Sequence, residues 1–126
     1  MRPPEPSLSE STEALGPLER PALLDLLSRA AIFCHPARYE PFGLAPLEAA
    51  AAGCALVLGD IPSLREVWGD AALYVSPDRP EALVTALRGL AARHALVARL
   101  AARARARAAT FDAERQARAW HELYRH

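Results

Sequence analysis

Ala30-Ala31-Ile32-Phe33-Cys34, Cys54-Ala55-Leu56-Val57-Leu58 and Ala72-Leu73-Tyr74-Val75 are three short apolar runs, each with Pro, Gly or Asp close behind it. Runs of this length bounded by turn residues read as buried strands. Between the first two lies Leu44 to Ala52, rich in Ala and Leu and stopped by Gly53. Between the second and third lies Pro62 to Trp68, stopped by Gly69. Both segments read as short helices ended by glycine. Strand, helix, strand, helix, strand predicts an α/β fold with about three parallel strands, because parallel neighbours need a crossover between them.

On the amino-terminal side of this centre, Pro21 and the spacing of Leu23 to Leu27 predict a helix over 20–29, with proline in the first turn. Residues 1–13 hold three prolines, three serines and three glutamates and almost nothing apolar, the composition of a flexible arm. On the other side, Leu83, Leu87 and Leu90 keep helical spacing, and Leu96, Leu100 and Ala104 do so again after a break near Arg93-His94. Asp112 reads as the N-cap of a separate last helix, with Ala113, Ala117, Trp120 and Tyr124 along one face. The carboxyl-terminal half is therefore expected to be helical. Open α/β sheets usually carry roughly five or six strands. Three strands predict half a sheet, so that either a partner covers the exposed edge or the chain is the remnant of something longer.

The chain has 126 residues, 52% of them apolar, and its formal net charge is zero. Those numbers fit one domain, residues 14–126, and give no global field to hold a nucleic acid or an anionic membrane. No apolar run approaches the about 20 residues that cross a bilayer, and no signal-peptide pattern is present, so the expected location is cytoplasmic. Lys is absent, so Schiff-base and P-loop chemistry are excluded. Cys34 and Cys54 sit in apolar runs and read as buried free thiols. The histidines have no metal-ligand spacing, and no Asp-x-Asp pair is present, so no metal site is expected.

Tyr39-Glu40-Pro41-Phe42-Gly43-Leu44-Ala45-Pro46-Leu47-Glu48 is the stretch richest in chemistry. Glu40 follows the first predicted strand, at the carboxyl end where open sheets bind ligands, and Glu48 falls in the next helix. Backbone N–H groups around Phe42, Gly43 and Leu44 open that helix, and its positive end suits a pyrophosphate. Carboxylates suit vicinal hydroxyls, which donate charge-assisted hydrogen bonds to them. A plainer reading leaves Glu48 complementing the helix dipole and Glu40 exposed in a loop. Glu48 is, however, the only charged side chain between Pro41 and Leu58, and a charge buried there needs a partner.

The stretch resembles the E-x7-E motif of family 4 of the retaining glycosyltransferases with the GT-B fold, which carry E-P-F-G-L-x-x-x-E-A-x-A-x-G after a Rossmann-like strand. The likeness continues through Cys54 to Leu58, Asp60 to Val67, Asp70 to Pro77 and Phe111-Asp112, and covers about residues 14–126. It implies a truncated carboxyl-terminal, nucleotide-sugar-binding domain: a partial Rossmann-like unit of the GT-B fold. It further implies Glu40 as the catalytic residue on the donor sugar's hydroxyls and Glu48 on the ribose of a UDP- or GDP-sugar. The amides of Phe42, Gly43 and Leu44 would hold sugar and phosphate oxygens. Arg38 either substitutes in part for the family's phosphate-binding Lys or is a solvated loop residue, and His35, at the end of the first strand, either faces the donor or is satisfied by backbone. No metal ion or cofactor is implied. The activity would be of hexosyltransferase type. It would be weak or absent without an amino-terminal glycosyltransferase domain, supplied by another chain or replaced by self-association. Departures from the family include Pro62-Ser63, where a Gly-Gly pair is common, and the missing Lys; Glu66 is expected to be structural, pairing locally with Arg65 or a neighbour.

The alternative is a non-catalytic interaction module. Arg88, Arg93, Arg99, Arg103, Arg105 and Arg107 lie in a stretch without an acidic residue, and Arg99, Arg103 and Arg107 share a helical face. No aromatic residues are interleaved to stack on bases, which argues against nucleic acid.

Overall fold

In a computed structural model of the chain, the described residues are Glu13, 15–36, Arg38 and 44–124; for 44 and 112–124 they are described by their backbone alone. Apart from Glu13, the expected arm of residues 1–13 lies outside them.

The described chain runs α1 (Arg20–Arg29), β1 (Ile32–His35), α2 (Leu44–Ala51), β2 (Ala55–Gly59), α3 (Pro62–Trp68), a 3-10 turn (Gly69–Ala71), β3 (Leu73–Val75), α4 (Pro80–Ala91) and α5 (His94–Tyr124). The sheet has the order β1-β2-β3 and is parallel throughout. Ile32 is level with Ala55 and His35 with Leu58, while Leu58 is level with Tyr74. Because the strands are parallel, the segments after β1, β2 and β3 all emerge at one edge, which is where a ligand site of this fold class belongs.

All five residues of β2 are buried, and the strand feeds two cores. Leu56 and Leu58 face Leu27 of α1, Ala49 and Ala50 of α2, and Leu64 and Trp68 of α3. Ala55 and Val57 face the other way, toward Val75, Leu90 of α4 and Leu100 of α5. A strand covered on both faces has no polar side to show, so it reads as an unbroken apolar run rather than an alternation. α5 serves both cores: Leu96, Val97, Leu100 and Ala101 join the second, and Ala104 and Ala108 the first.

α5 corrects one expectation, since no separate helix begins at Asp112. Residues 94–124 form one continuous helix. The buried face established by Leu100, Ala104 and Ala108 continues to the half-buried Phe111, whose ring meets Trp68 edge-on at 6.1 Å. Thr110 donates its hydroxyl to Ala106 O at 3.2 Å, a bond made within a continuing helix. An N-cap preference of about 1 kcal/mol does not interrupt a helix whose packing face carries on. The expected Trp120 face lies outside the described side chains.

Both cysteines are free. Cys54 is buried and donates its thiol to Leu27 O at 3.3 Å, and burial raises the pKa of both thiols. No helix of the described residues is long and apolar enough to cross a membrane.

α2 ends in a Schellman motif: Gly53 N–H donates to Ala50 O at 3.1 Å and Cys54 N–H to Ala49 O at 3.0 Å. The motif needs positive φ at Gly53, which has φ +100°. No atom lies within 4 Å of where a Cβ there would sit, so Gly53→Ala isolates the backbone strain and should cost about 1–2 kcal/mol. Gly89, inside α4 with equally open surroundings, should show the opposite sign. Gly89→Ala is expected to stabilise the chain by about 0.5–1 kcal/mol in chemical denaturation.

Candidate functional site

α1 leads into β1 and α2 follows it, so the two helices pack side by side on one face of the sheet. α1 turns Leu23 and the buried Leu27 toward α2 and the core. Arg20 stands three and seven residues before them, on the same helical face. Its guanidinium Nη1 donates to Glu48 Oε1 at 2.6 Å. The Glu48 side chain is 27% exposed and that of Arg20 69%, so the carboxylate is sheltered while its partner remains largely in water. The partner that an isolated charge in α2 requires therefore comes from 28 positions upstream. Arg20 was not among the candidate residues. Its signal in the sequence is its place on the Leu23-Leu27 face of the helix before the first strand.

His35 closes β1, level with Leu58 and Tyr74 across the sheet. Its ring is stacked with that of Phe33, with centroids 6.0 Å apart and planes 13° from parallel. Both lie on the sheet face that α1 and α2 cover. Arg38, after β1, forms an ion pair with Asp78, after β3, and so bridges the two outer strands of the sheet at its carboxyl edge. Glu40, Phe42 and Gly43 lie outside the described residues; Leu44 opens α2. The structure thus sets Glu48 against Arg20 and Arg38 against Asp78.

After β2, Arg65 forks onto Asp60 through Nε and Nη2, the second contact at 3.0 Å, and its Cζ sits 4.4 Å over the Tyr74 ring. Glu66 is expected to pair locally with Arg65 or a neighbour; Arg65 pairs instead with Asp60. Tyr74 OH donates to Gly69 O at 2.8 Å, satisfying a carbonyl just past α3, and burial raises its pKa. Arg107 of the arginine stripe donates Nε–H to Val67 O at 2.8 Å, with its Cζ 4.9 Å from the Phe111 ring centre. A cation there satisfies one of the carbonyls left free in the last turn of α3. One member of the stripe is thereby committed to holding α3 against α5.

A groove of about 500 Å³ lies between β3 and α4, lined by residues that include Leu73, Val75, Ala82 and Ala86. It shares no residue with Glu48, Arg20 or Arg38. Among the described residues, no group of three or more His, Cys, Asp and Glu is placed to hold a metal ion.

The hydrogen bond from Arg65 holds the Asp60 carboxyl below the usual aspartate pKa. The pair's contribution to stability is therefore present above the unfolded aspartate pKa and is lost as pH falls through the lowered folded value. Arg65→Ala should return the Asp60 titration, followed by carboxyl-carbon NMR, upward toward that of a free aspartate. An unchanged midpoint would mean that the pair does not form in solution.

The family described as Glycosyl transferases group 1 matches residues 5–107. A glycogen synthase from Mycobacterium tuberculosis is 38% identical over 117 residues, which cover 90% of this chain and 28% of that protein. An O-antigen chain mannosyltransferase from Escherichia coli is 41% identical over 58 residues, 46% of this chain and 15% of that protein. Among solved structures, a sucrose-phosphate synthase from Thermosynechococcus elongatus superposes with a TM-score of 0.72 at 25% identity, covering 87% of this chain and 29% of the other. The chain spans less than a third of the length of each. With its parallel sheet and covering helices, and with the match extending across nearly the whole described fold, the chain belongs to the group 1 glycosyl transferases and has the fold of a GT-B carboxyl-terminal domain.

Proposed function

We propose that this chain binds the nucleotide-sugar donor for a retaining glycosyl transfer, with Glu48 accepting hydrogen bonds from the ribose hydroxyls. The observation that carries the reading is the sheltered, singly paired Glu48 carboxylate on the helix that follows β1, in a chain of this family. In the same reading Glu40 engages hydroxyls of the donor sugar, and the amides of Phe42, Gly43 and Leu44 meet sugar and phosphate oxygens. Arg38 and His35 serve the departing diphosphate in the same reading. The relatives' names, a glycogen synthase, a mannosyltransferase and a sucrose-phosphate synthase, support a hexosyl donor, and the proposed carrier is UDP or GDP.

The transfer breaks the bond between the anomeric carbon and the diphosphate oxygen, and the diphosphate leaves with the electron pair. An acceptor hydroxyl oxygen bonds the same carbon on the same face, and its proton goes to the diphosphate. Stabilising the charge that grows on the diphosphate is where this chain's positive groups contribute to rate. No metal ion or cofactor enters the proposal. The acceptor site and further phosphate ligands come from an amino-terminal glycosyltransferase domain, or from a second copy docked on an outer strand of the sheet. Without them the chain binds donor and transfers little, because positioning accounts for many orders of magnitude in rate. The proposed location is cytoplasmic.

Calorimetric or NMR titration of the chain with UDP and GDP tests this. One of the two should bind in the micromolar to millimolar range. Glu48→Ala should weaken that binding about tenfold or more, the usual worth of hydrogen bonds to a charged acceptor. No binding of either nucleotide at millimolar concentration would refute the proposal.

A further inference from the structure

Glu48 has three side-chain torsions and no other charged residue in its own helix to restrain them. Its carboxylate offers two oxygens and about four lone-pair directions. Arg20 Nη1 takes Oε1 at 2.6 Å, and Oε2 makes no hydrogen bond among the described residues. The contact is one-armed, so it orients the carboxylate without filling it. The backbone that carries Arg20 is held from behind, because α1 is anchored by Leu27, which is 6% exposed, and by Leu23 packed on the same core. Pro21, in the first turn of α1, stiffens the backbone beside it. The remainder of the guanidinium is open to solvent at the start of α1.

Resting on the donor-binding reading above, we infer that Arg20 is a positioning residue for nucleotide recognition: it holds Glu48 by Oε1 so that Oε2 is presented to the ribose hydroxyls. Arg20 touches the carboxylate and not the reacting atoms, so it acts on affinity and not on the chemical step. Part of the cost of ordering a glutamate at a binding site is the loss of its rotamer freedom. A carboxylate already held in place has met that cost before the nucleotide arrives, which is what pre-organisation means for affinity.

The test uses the full chain, the better-bound of UDP and GDP, and the 2′,3′-dideoxy form of that nucleotide, which lacks the hydroxyls Glu48 would meet. Arg20→Ala should weaken the ribonucleotide about three- to tenfold, as expected for one restrained charged side chain. It should leave the weaker dideoxy nucleotide unchanged, and Arg20→Lys should recover part of the loss. A merely structural role for Arg20 would weaken both nucleotides alike, so equal losses overturn the inference. So does unchanged or tighter ribonucleotide binding to Arg20→Ala, the latter marking the ion pair as a competitor of the ribose. In both cases the donor-binding reading survives if Glu48→Ala and removal of the hydroxyls each weaken binding. Failure of the wild-type chain to bind either nucleotide overturns both proposals. Circular dichroism melting of each variant separates loss of fold from loss of site.

Discussion

The burial of β2 on both faces is the constraint from which the rest of the structure follows. Its five residues leave no side chain in water, so its backbone N–H and C=O groups must be met along both edges, and β1 and β3 meet them. Since both neighbours are parallel, each connection must cross the sheet, and α2 and α3 are those crossings. They cover one face with Ala49, Ala50, Leu64 and Trp68, and α4 and the first part of α5 cover the other. The small residues matter: Ala49, Ala50 and Ala104 are all 0% exposed, and they let α2 and α5 approach the strand closely. Every polar group with a claim to function is thereby pushed to the carboxyl edge or to the outer surfaces of the helices.

At or near that edge three arginines are each matched with an acid. Arg38 holds Asp78 and Arg65 holds Asp60, while Arg20 holds Glu48 one layer out, over α2. A chain with no net charge has no broad field to attract an anion, so any selectivity for phosphate or hydroxyl must come from local geometry. Exposed ion pairs add little to stability because water competes for both partners. The same weakness makes them exchangeable between partners. Glu48 differs from these in being more sheltered than its partner, so its pair is less readily surrendered to water.

Much of this architecture is legible in the sequence because its signals are local. The three strands follow from apolar runs cut off by Pro36, by Gly59-Asp60 and by Pro77, and α2 ends at the glycine whose positive φ the Schellman motif needs. The helix starts at Pro62 and Pro80 are equally plain, since proline is accepted in a first turn and resisted later. The continuity of α5 is not legible in this way. Asp112 carries a local preference for starting a helix, whereas the reason to continue is the contact of Phe111 with Trp68, 43 positions earlier. Where a cap preference and a long-range packing face disagree, the packing face has more surface to bury and prevails.

The site shows the same division. Glu48 stands out in the sequence as a lone charge in an apolar helix, and that isolation already demands a partner. The identity of the partner depends on how α1 lies on α2, which no local pattern specifies. Three residues of α1 settle it. Leu27 is buried among Ala49, Ala50 and Cys54, and Cys54 donates its thiol to Leu27 O, which fixes the end of α1 against the start of β2. Leu23, one turn earlier, packs on the same core. Arg20, one turn earlier again, starts from the same face, and from there its guanidinium reaches Glu48. The ion pair is therefore a consequence of hydrophobic register: the apolar residues choose the face, and the charge at the head of that face finds the one carboxylate that α2 offers.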